Sequence, residues 1–165
     1  MDRIIREGVL LLWDDKGTGE HDMAKGLIAE AKTIIKADTN RVWSALTDPA
    51  QIKEYLYGTE ATSDWQVGSA ITYKGVWKGQ TYEDKGTVLE AEPGHKLVST
   101  YWSGMSGKAD APENYVTVTY ELHQRDGGTE VVISQDGNDT EEAREQASSN
   151  WTMVLESMKK VIEAA

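Results

Sequence analysis

Five short segments between residues 70 and 137 carry the alternation of β-strands, and this run constrains the fold more than any other feature of the chain. From Val116 to Leu122 every second residue is apolar, and the residues between them are threonine or glutamate. This period of two is typical of a strand with one buried face. The five segments span residues 70–78, 81–92, 96–103, 114–124 and 129–137. Glycine-containing turns such as KGQ, PGH and RDGG separate them, with one longer loop at 104–113, so the run predicts an antiparallel meander.

The segment after the last strand predicts one long helix. Apolar residues recur at spacings of three or four along residues 139–164, which is the pattern of a helix with one buried stripe. They are Ala143, Ala147, Trp151, Val154, Leu155, Met158, Val161 and Ile162. Asp139 and Glu142 form a candidate capping box at its start. At about 1.5 Å per residue the helix is roughly 35 to 40 Å long, which is enough to cover the concave face of a curved sheet.

The chain before the meander predicts a strand over residues 27–37 and then two short helices. Asp38 or Thr39 caps the first helix, and Asp48-Pro49 starts the second, which ends at Gly58. The order of strand, two helices, five strands and one long helix predicts an α+β fold, with an antiparallel sheet of about six strands.

The first 22 residues differ from the rest of the chain. A short apolar patch, GVLLLW, runs there into a stretch rich in glycine and acidic residues. We interpret residues 1–22 as an N-terminal extension of uncertain role and residues 23–165 as one domain, and we expect the fold to be complete without the extension. The alternative is a short helix or strand that docks on the domain through Ile4, Ile5, Leu10 and Leu12.

Charge and cysteine content narrow the classes of partner and compartment. The formal net charge is −11, so phosphate backbones and anionic membranes would repel the chain, and neither nucleic acid nor membrane is an expected partner. The chain has no cysteine, so it offers no disulfide framework and no thiolate ligand for zinc. GVLLLW is too short to span a bilayer and lacks a signal-peptide cleavage site. The cytoplasm is therefore the expected location.

Several stretches together resemble one known superfamily. They are VWSALTDPAQIKEYL, DWQVGSAITYKGVWKGQTYEDKGTVLEAEPGHKL, PENYVTVTYEL and NWTMVLESMKKVIE. The Trp-x-Val-Gly-Ser turn at 65–69, the Asp84-Lys85-Gly86 step and the Trp151-x-x-Val154-Leu155 helix signature occur together. From about residue 27 to 164 the chain resembles the START-related (SRPBCC) superfamily, and within it the bacterial proteins grouped with the activator of heat-shock protein 90 ATPase. The resemblance implies a helix-grip fold with a cavity between the sheet and the long helix.

The aromatic residues supply candidates for the wall of that cavity. The chain has six tryptophans and seven tyrosines but no phenylalanine, so every aromatic ring carries a polar group. The candidate ligand-binding residues are Trp65, Tyr73, Trp77, Trp102, Tyr120, Trp151, Val154, Leu155 and Met158. The alternative interpretation of these residues is ordinary core packing.

The sequence offers no convincing catalytic or metal site. His21, His95 and His123 lack the spacing of metal ligands, and phosphate-binding, dinucleotide-binding and Gly-x-Ser-x-Gly patterns are absent. We therefore expect no catalytic residue, no metal and no cofactor. The charged stretch Glu83-Asp84-Lys85 could face the cavity or solvent. The small-residue loop at 103–113 could form a flexible rim at the cavity mouth, or it could be an ordinary connection.

These observations favour a non-enzymatic protein that binds a small hydrophobic or aromatic ligand between the sheet and the C-terminal helix. The first alternative, implied by the resemblance, is a co-chaperone-like module that binds a chaperone. The second is a cyclase or hydrolase that uses the cavity, against which the missing acid–base pair counts.

Overall fold

The computed structural model describes residues 26–164 as an antiparallel sheet wrapped around one long helix. In chain order the α-helices and strands are β1 (Leu27–Ile35), α1 (Thr39–Thr47), α2 (Pro49–Tyr55), β2 (Glu60–Thr62), β3 (Ala70–Trp77), β4 (Gln80–Glu92), β5 (Lys96–Tyr101), β6 (Val116–Arg125), β7 (Gly128–Asn138) and α3 (Glu141–Ala164), with a 3-10 helix at Pro112–Asn114 before β6. The strands pair in the order β1-β7-β6-β5-β4-β3-β2, and every pairing is antiparallel. The predicted α+β helix-grip fold is confirmed. The proposed extension over residues 1–22 lies outside the described residues.

The sheet differs from the expected one by a strand. The short strand β2 pairs with β3, so the sheet has seven strands instead of about six. β2 spans three residues with the burial pattern exposed, buried, exposed. A segment of that length is too short for the alternation of a strand to show in the sequence.

Side-chain caps fix where the helices begin. The Asp38 carboxylate accepts a hydrogen bond from the Arg41 backbone N–H at 2.8 Å, and Asp48 caps α2 directly before its first-turn proline. At α3 the cap differs from the prediction, since Thr140 Oγ1 accepts from the Ala143 N–H at 3.0 Å. The capping bond thus comes one residue later than the expected box at Asp139.

The main hydrophobic core lies at one end of the grip. Its fully buried side chains include Ile35 of β1, Val42 of α1, Ile52 of α2, Ile133 of β7 and Met158 of α3. A second cluster joins Ile71, Val88 and Leu97 on strands β3 to β5. The two short helices and the C-terminal half of α3 therefore close this end of the sheet.

Polar contacts anchor α3 to the edge strand β1 and to helix α2. Lys159 Nζ donates to the Ile34 carbonyl at 2.6 Å, and Ser157 Oγ donates to the Tyr55 carbonyl at 2.9 Å. The helix packs against β1, β7, α1 and α2, and its 24 residues give a length of about 36 Å. No helix within residues 26–164 is long and apolar enough to cross a membrane.

Candidate functional site

A cavity of about 700 Å³ lies between the N-terminal half of α3 and the concave face of the sheet. We call it the grip cavity. Its lining residues are Leu56, Tyr57, Thr59, Tyr73, Val76, Trp77, Tyr82, Asp84, Ser99, Tyr101, Ser103, Met105, Val118, Tyr120, Gln135, Ala143, Gln146, Ala147, Asn150, Trp151 and Val154.

The residues of α3 explain why the space between helix and sheet is filled at one end and open at the other. Towards its C-terminus the helix presents Leu155, Met158 and Ile162, which are all buried in the core. Towards its N-terminus it presents the small side chains of Ala143 and Ala147 to the same face, and both line the cavity. Because these alanine side chains are too small to fill the space between the helix and the opposite strands, a gap remains there that is absent at the close-packed end.

Tyr82 forms part of the wall because a glycine lies opposite it. Gly75 and Tyr82 are partners across β3 and β4, and a Cβ at position 75 would lie 2.5 Å from the Tyr82 hydroxyl. The tyrosine therefore lies across β3, where its hydroxyl meets Thr59 Oγ1 at 2.5 Å. Since Thr59 Oγ1 also donates to the Leu56 carbonyl at 2.7 Å, Tyr82 is the donor of this pair.

Asp84 is the one carboxylic acid among the described residues that line the cavity. Tyr101 Oη donates to its Oδ2 at 2.6 Å, and the Gly104 N–H donates to its Oδ1 at 3.0 Å. The pKa values of Tyr101 and Tyr73 are raised well above the ordinary value for tyrosine. Burial is the larger cause, and the negative charge of Asp84 is the second. Both phenols therefore remain protonated at pH values at which a free tyrosine ionises. The two rings meet edge to face, with their centroids 6.4 Å apart.

A second aromatic pair joins the sheet to α3. Tyr120 of β6 and Trp151 of α3 meet edge to face at a centroid distance of 6.2 Å. The indole N–H of Trp151 donates to Gln135 Oε1 at 2.7 Å, which fixes the orientation of the ring. Burial raises the pKa of Tyr120 well above its usual value.

The nine residues named from the sequence fall into three groups. Tyr73, Trp77, Tyr120, Trp151 and Val154 line the grip cavity. Leu155 and Met158 are buried in the main core, at 1% and 0% exposure. Trp65 and Trp102 lie elsewhere.

Trp65 and Trp102 each have a structural environment of their own. Trp65 adopts a positive φ of 58° and packs against both hydrophobic clusters; its indole nitrogen is buried with no hydrogen-bond partner among the described residues. Trp102 stacks on Tyr115 with the two ring centroids 6.3 Å apart, and Lys85 Nζ lies 5.6 Å from the centroid of the Trp102 ring. Within residues 26–164, neither ring is part of the cavity wall.

The loop after β5 is held in place by several polar contacts. Trp102 Nε1 donates to the Lys108 carbonyl at 3.2 Å. Asp110 binds Lys85 Nζ at 2.5 Å and accepts from Tyr115 Oη at 2.6 Å. From this loop Met105 reaches the cavity lining, so the loop forms part of the rim; its flexibility stays a prediction.

Sequence reasoning missed Tyr82 and Tyr101 and left Asp84 undecided. The alternation along β4 places Tyr82 and Asp84 on one face, with Lys85 on the other, where it pairs with Asp110. That alternation was visible in the sequence, but the face that meets the cavity depends on the pairing register. The amides Gln135 and Asn150 carried no signal of their own.

The described part of the chain contains no group of three or more histidine, aspartate or glutamate side chains that could hold a metal ion. His123 Nε2 lies 3.2 Å from Glu121 Oε1 at the end of β6, and His95 lies exposed in the β4–β5 turn. Neither belongs to the cavity lining, and His21 lies outside the described residues.

The model of one protein family matches residues 36–163, and its description is Activator of Hsp90 ATPase homolog 1-like protein. The chain is also similar to ChR145 from Cytophaga hutchinsonii, known from a solution structure. The two are 45% identical, the match covers 86% of this chain and 97% of that one, and the TM-score is 0.75.

Two crystal structures share the fold at lower identity. MLL2253 from Mesorhizobium loti is 22% identical over 84% of this chain and 98% of its own, with a TM-score of 0.67. CV1439 from Chromobacterium violaceum is 21% identical, and the match covers 82% of this chain and 97% of CV1439, with a TM-score of 0.66. A comparison with curated proteins found no match. Because the family model covers most of the described residues, the chain belongs to the family of Activator of Hsp90 ATPase homolog 1-like proteins, as the sequence resemblance predicted.

Proposed function

We propose that the protein binds a small apolar or aromatic molecule in the grip cavity and does not transform it. The observation that carries the proposal is a volume of about 700 Å³ whose wall consists largely of tyrosine, tryptophan and aliphatic side chains. Pockets for small molecules typically enclose about 300 to 1,000 Å³ and are mostly apolar, with a few polar groups that orient the ligand. Asp84, Gln135 and Asn150 would supply those polar groups.

The side chains of the wall favour binding over catalysis. General acid–base chemistry on a bound molecule needs two groups with complementary protonation states within reach of the reacting atoms. Among the described lining residues Asp84 is the single carboxylic acid, and no histidine, lysine or arginine accompanies it. The phenols of Tyr73 and Tyr101 are held neutral by burial, which raises their pKa values. A cyclase or hydrolase function is therefore the weaker proposal.

A chaperone-binding function is the alternative that the family description suggests. It would use the outer surface of the domain instead of the grip cavity, so the two functions call for different measurements. Cytoplasmic location is part of the proposal, because a chain without cysteine does not depend on an oxidising compartment.

Filling the cavity from α3 tests the proposal. We expect neutral diphenylhexatriene, which fluoresces in apolar surroundings, to bind the protein saturably at one to one. Ala147 lines the cavity, so Ala147→Leu should weaken this binding by about tenfold or more through loss of volume, a change of roughly 1.4 kcal/mol. Fluorescence titration measures both affinities.

Ser149→Leu is the matched control. Ser149 is exposed on the same helix, so this substitution adds a leucine of the same size outside the cavity lining. Equal affinities for Ala147→Leu and the control would contradict binding in the grip cavity. Absence of saturable binding, together with capture of a purified chaperone domain, would replace the ligand-binding proposal with the chaperone-binding one.

A further inference from the structure

The described wall of the grip cavity carries one charged side chain, and its charge is negative. Asp84 contributes a carboxylate, and the described lining contains no lysine, arginine or histidine. Lys85, the next residue, is paired with Asp110 behind the wall. Lys78 is exposed at the tip of the β3–β4 hairpin, with its Nζ 5.7 Å from the centroid of the Trp77 ring, and it is not part of the lining. A bound molecule would therefore meet one negative charge and no positive charge from the wall.

The Asp84 carboxylate keeps acceptor capacity. It receives two hydrogen bonds, one from Tyr101 Oη at 2.6 Å and one from the Gly104 N–H at 3.0 Å, whereas a carboxylate can accept about four. Both donors are neutral, so they orient the group without cancelling its charge. They also tie it to β5 and to the loop that follows, and the carboxylate is thus a fixed feature of the wall.

The rings around Asp84 add to the same preference. Tyr73 and Tyr101 meet beside the carboxylate, 6.4 Å between centroids, and Tyr82 and Trp77 line the same side of the cavity. The face of an aromatic ring carries negative potential, which attracts an organic cation and repels an anion. The formal net charge of −11 would also favour the approach of cations over that of anions.

We propose that the grip cavity selects organic cations: amphiphilic molecules with an apolar or aromatic body and a protonated amine or quaternary ammonium group that lies against Asp84. Carboxylate-bearing amphiphiles of the same shape, such as fatty acids, are disfavoured. This inference rests on the proposed function and names its ligand class.

Three forms of one probe test the selection. Diphenylhexatriene is neutral, its trimethylammonium derivative is cationic and its propionate derivative is anionic, and all three report binding by fluorescence. We expect the cation to bind on the order of tenfold more tightly than the anion. Asp84→Asn keeps the size of the side chain and an oxygen acceptor but removes the charge, and it should lower the affinity for the cation by about the same factor. Its affinity for the neutral probe should stay within about twofold.

Glu83→Gln is the matched control, since it removes one negative charge from an exposed neighbour that is not part of the lining. It should leave all three affinities within about twofold of the wild type. Equal affinities of cation and anion, or an equal effect of the two variants, would overturn the selection while leaving binding of the neutral probe intact. If none of the three probes binds, the proposed function falls and the inference falls with it.

Discussion

At the scale of single residues, Asp84 and Lys85 are adjacent on β4 but make their contacts on opposite faces of the sheet. Asp84 faces the grip cavity and binds Tyr101, whereas Lys85 binds Asp110 on the other side of the sheet. Successive side chains of a strand point to opposite faces, so a carboxylate and an ammonium group that are adjacent in sequence serve different surfaces. The pair does not neutralise itself inside the cavity.

Gly86 allows β5 to approach β4 closely beside Asp84. A Cβ at this position would lie 1.9 Å from the Thr100 carbonyl oxygen, and Thr100 directly precedes Tyr101. We expect Gly86→Ala to lower the free energy of unfolding by about 1 to 3 kcal/mol, because the backbone of β5 must move to make room. Denaturant unfolding measures the change.

The exposed neighbour Thr87 provides the control, and Thr87→Ala should change stability by less than about 0.5 kcal/mol. A Gly86→Ala variant as stable as this control would show that the close approach is not required.

The residue scale is also where sequence reasoning fell short. Tyr73, Trp77, Tyr120 and Trp151 could be named from ring type and the expected grip, but that criterion also selected Trp65 and Trp102, which lie away from the lining. Their environments depend on a positive φ at Trp65 and on the loop contacts of Trp102. Neither feature has a signal in local periodicity.

At the scale of elements, prediction from sequence succeeded where the periodic pattern was long. The strands of the meander and the long helix all show their period over many residues, since a buried face repeats regularly. β2 was missed because three residues are too few to show a period. It is a strand because it pairs with β3 in the assembled sheet, and its own sequence does not indicate this pairing. Helix ends follow single hydrogen bonds such as that of Thr140, which composition leaves ambiguous among neighbouring polar residues.

The two halves of α3 should respond differently to truncation of their side chains. Leu155 is 1% exposed in the core, so Leu155→Ala should cost about 2 to 5 kcal/mol through lost burial and a new void. Trp151 is half-buried and already borders a cavity, so Trp151→Ala widens existing space and should cost less than Leu155→Ala. Denaturant unfolding of both variants gives the order.

Binding of neutral diphenylhexatriene completes this comparison. Trp151→Ala should alter the affinity, while Leu155→Ala should leave it close to the wild type wherever the variant is folded. The opposite order of stabilities would mean that α3 makes its main packing contacts through its N-terminal half.

At the scale of the whole molecule, the helix-grip arrangement sets aside part of its interior for a cavity. The long helix crosses the sheet, but its side chains fill the space only where α1 and α2 close one end. The resemblance implied such a cavity, whereas its volume and polarity could not be foreseen. The volume depends on how far small residues of α3, such as Ala143 and Ala147, lie from the curved strands, and this distance is defined only in the assembled fold. The polarity depends on which side chains of the strands face that space.

Four tyrosine phenols, one buried in the core and three half-buried at the grip cavity, should make the whole fold sensitive to alkali. Burial is the leading cause that raises the pKa values of Tyr55, Tyr73, Tyr101 and Tyr120 in the folded protein, whereas in the unfolded chain they ionise near the ordinary value of about 10. Above that pH the folded state holds more protons than the unfolded state, so the free energy of unfolding falls as pH rises. The stabilisation is complete below about pH 10 and is lost towards the raised folded-state pKa values.

We therefore expect stability to decline steeply above about pH 10, with the tyrosinate absorbance of these four phenols appearing only as circular dichroism reports unfolding. Tyr120→Phe removes one such phenol and should make the decline shallower by up to about 1.4 kcal/mol per pH unit, independently of the lysine deprotonation that both proteins share. Tyrosinate absorbance that develops fully while the protein is still folded would show that the rings around the grip cavity are in contact with bulk water. An unchanged slope in Tyr120→Phe would show that this phenol ionises alike in the folded and unfolded states, and the apolar character of the cavity wall beside Trp151 would have to be abandoned.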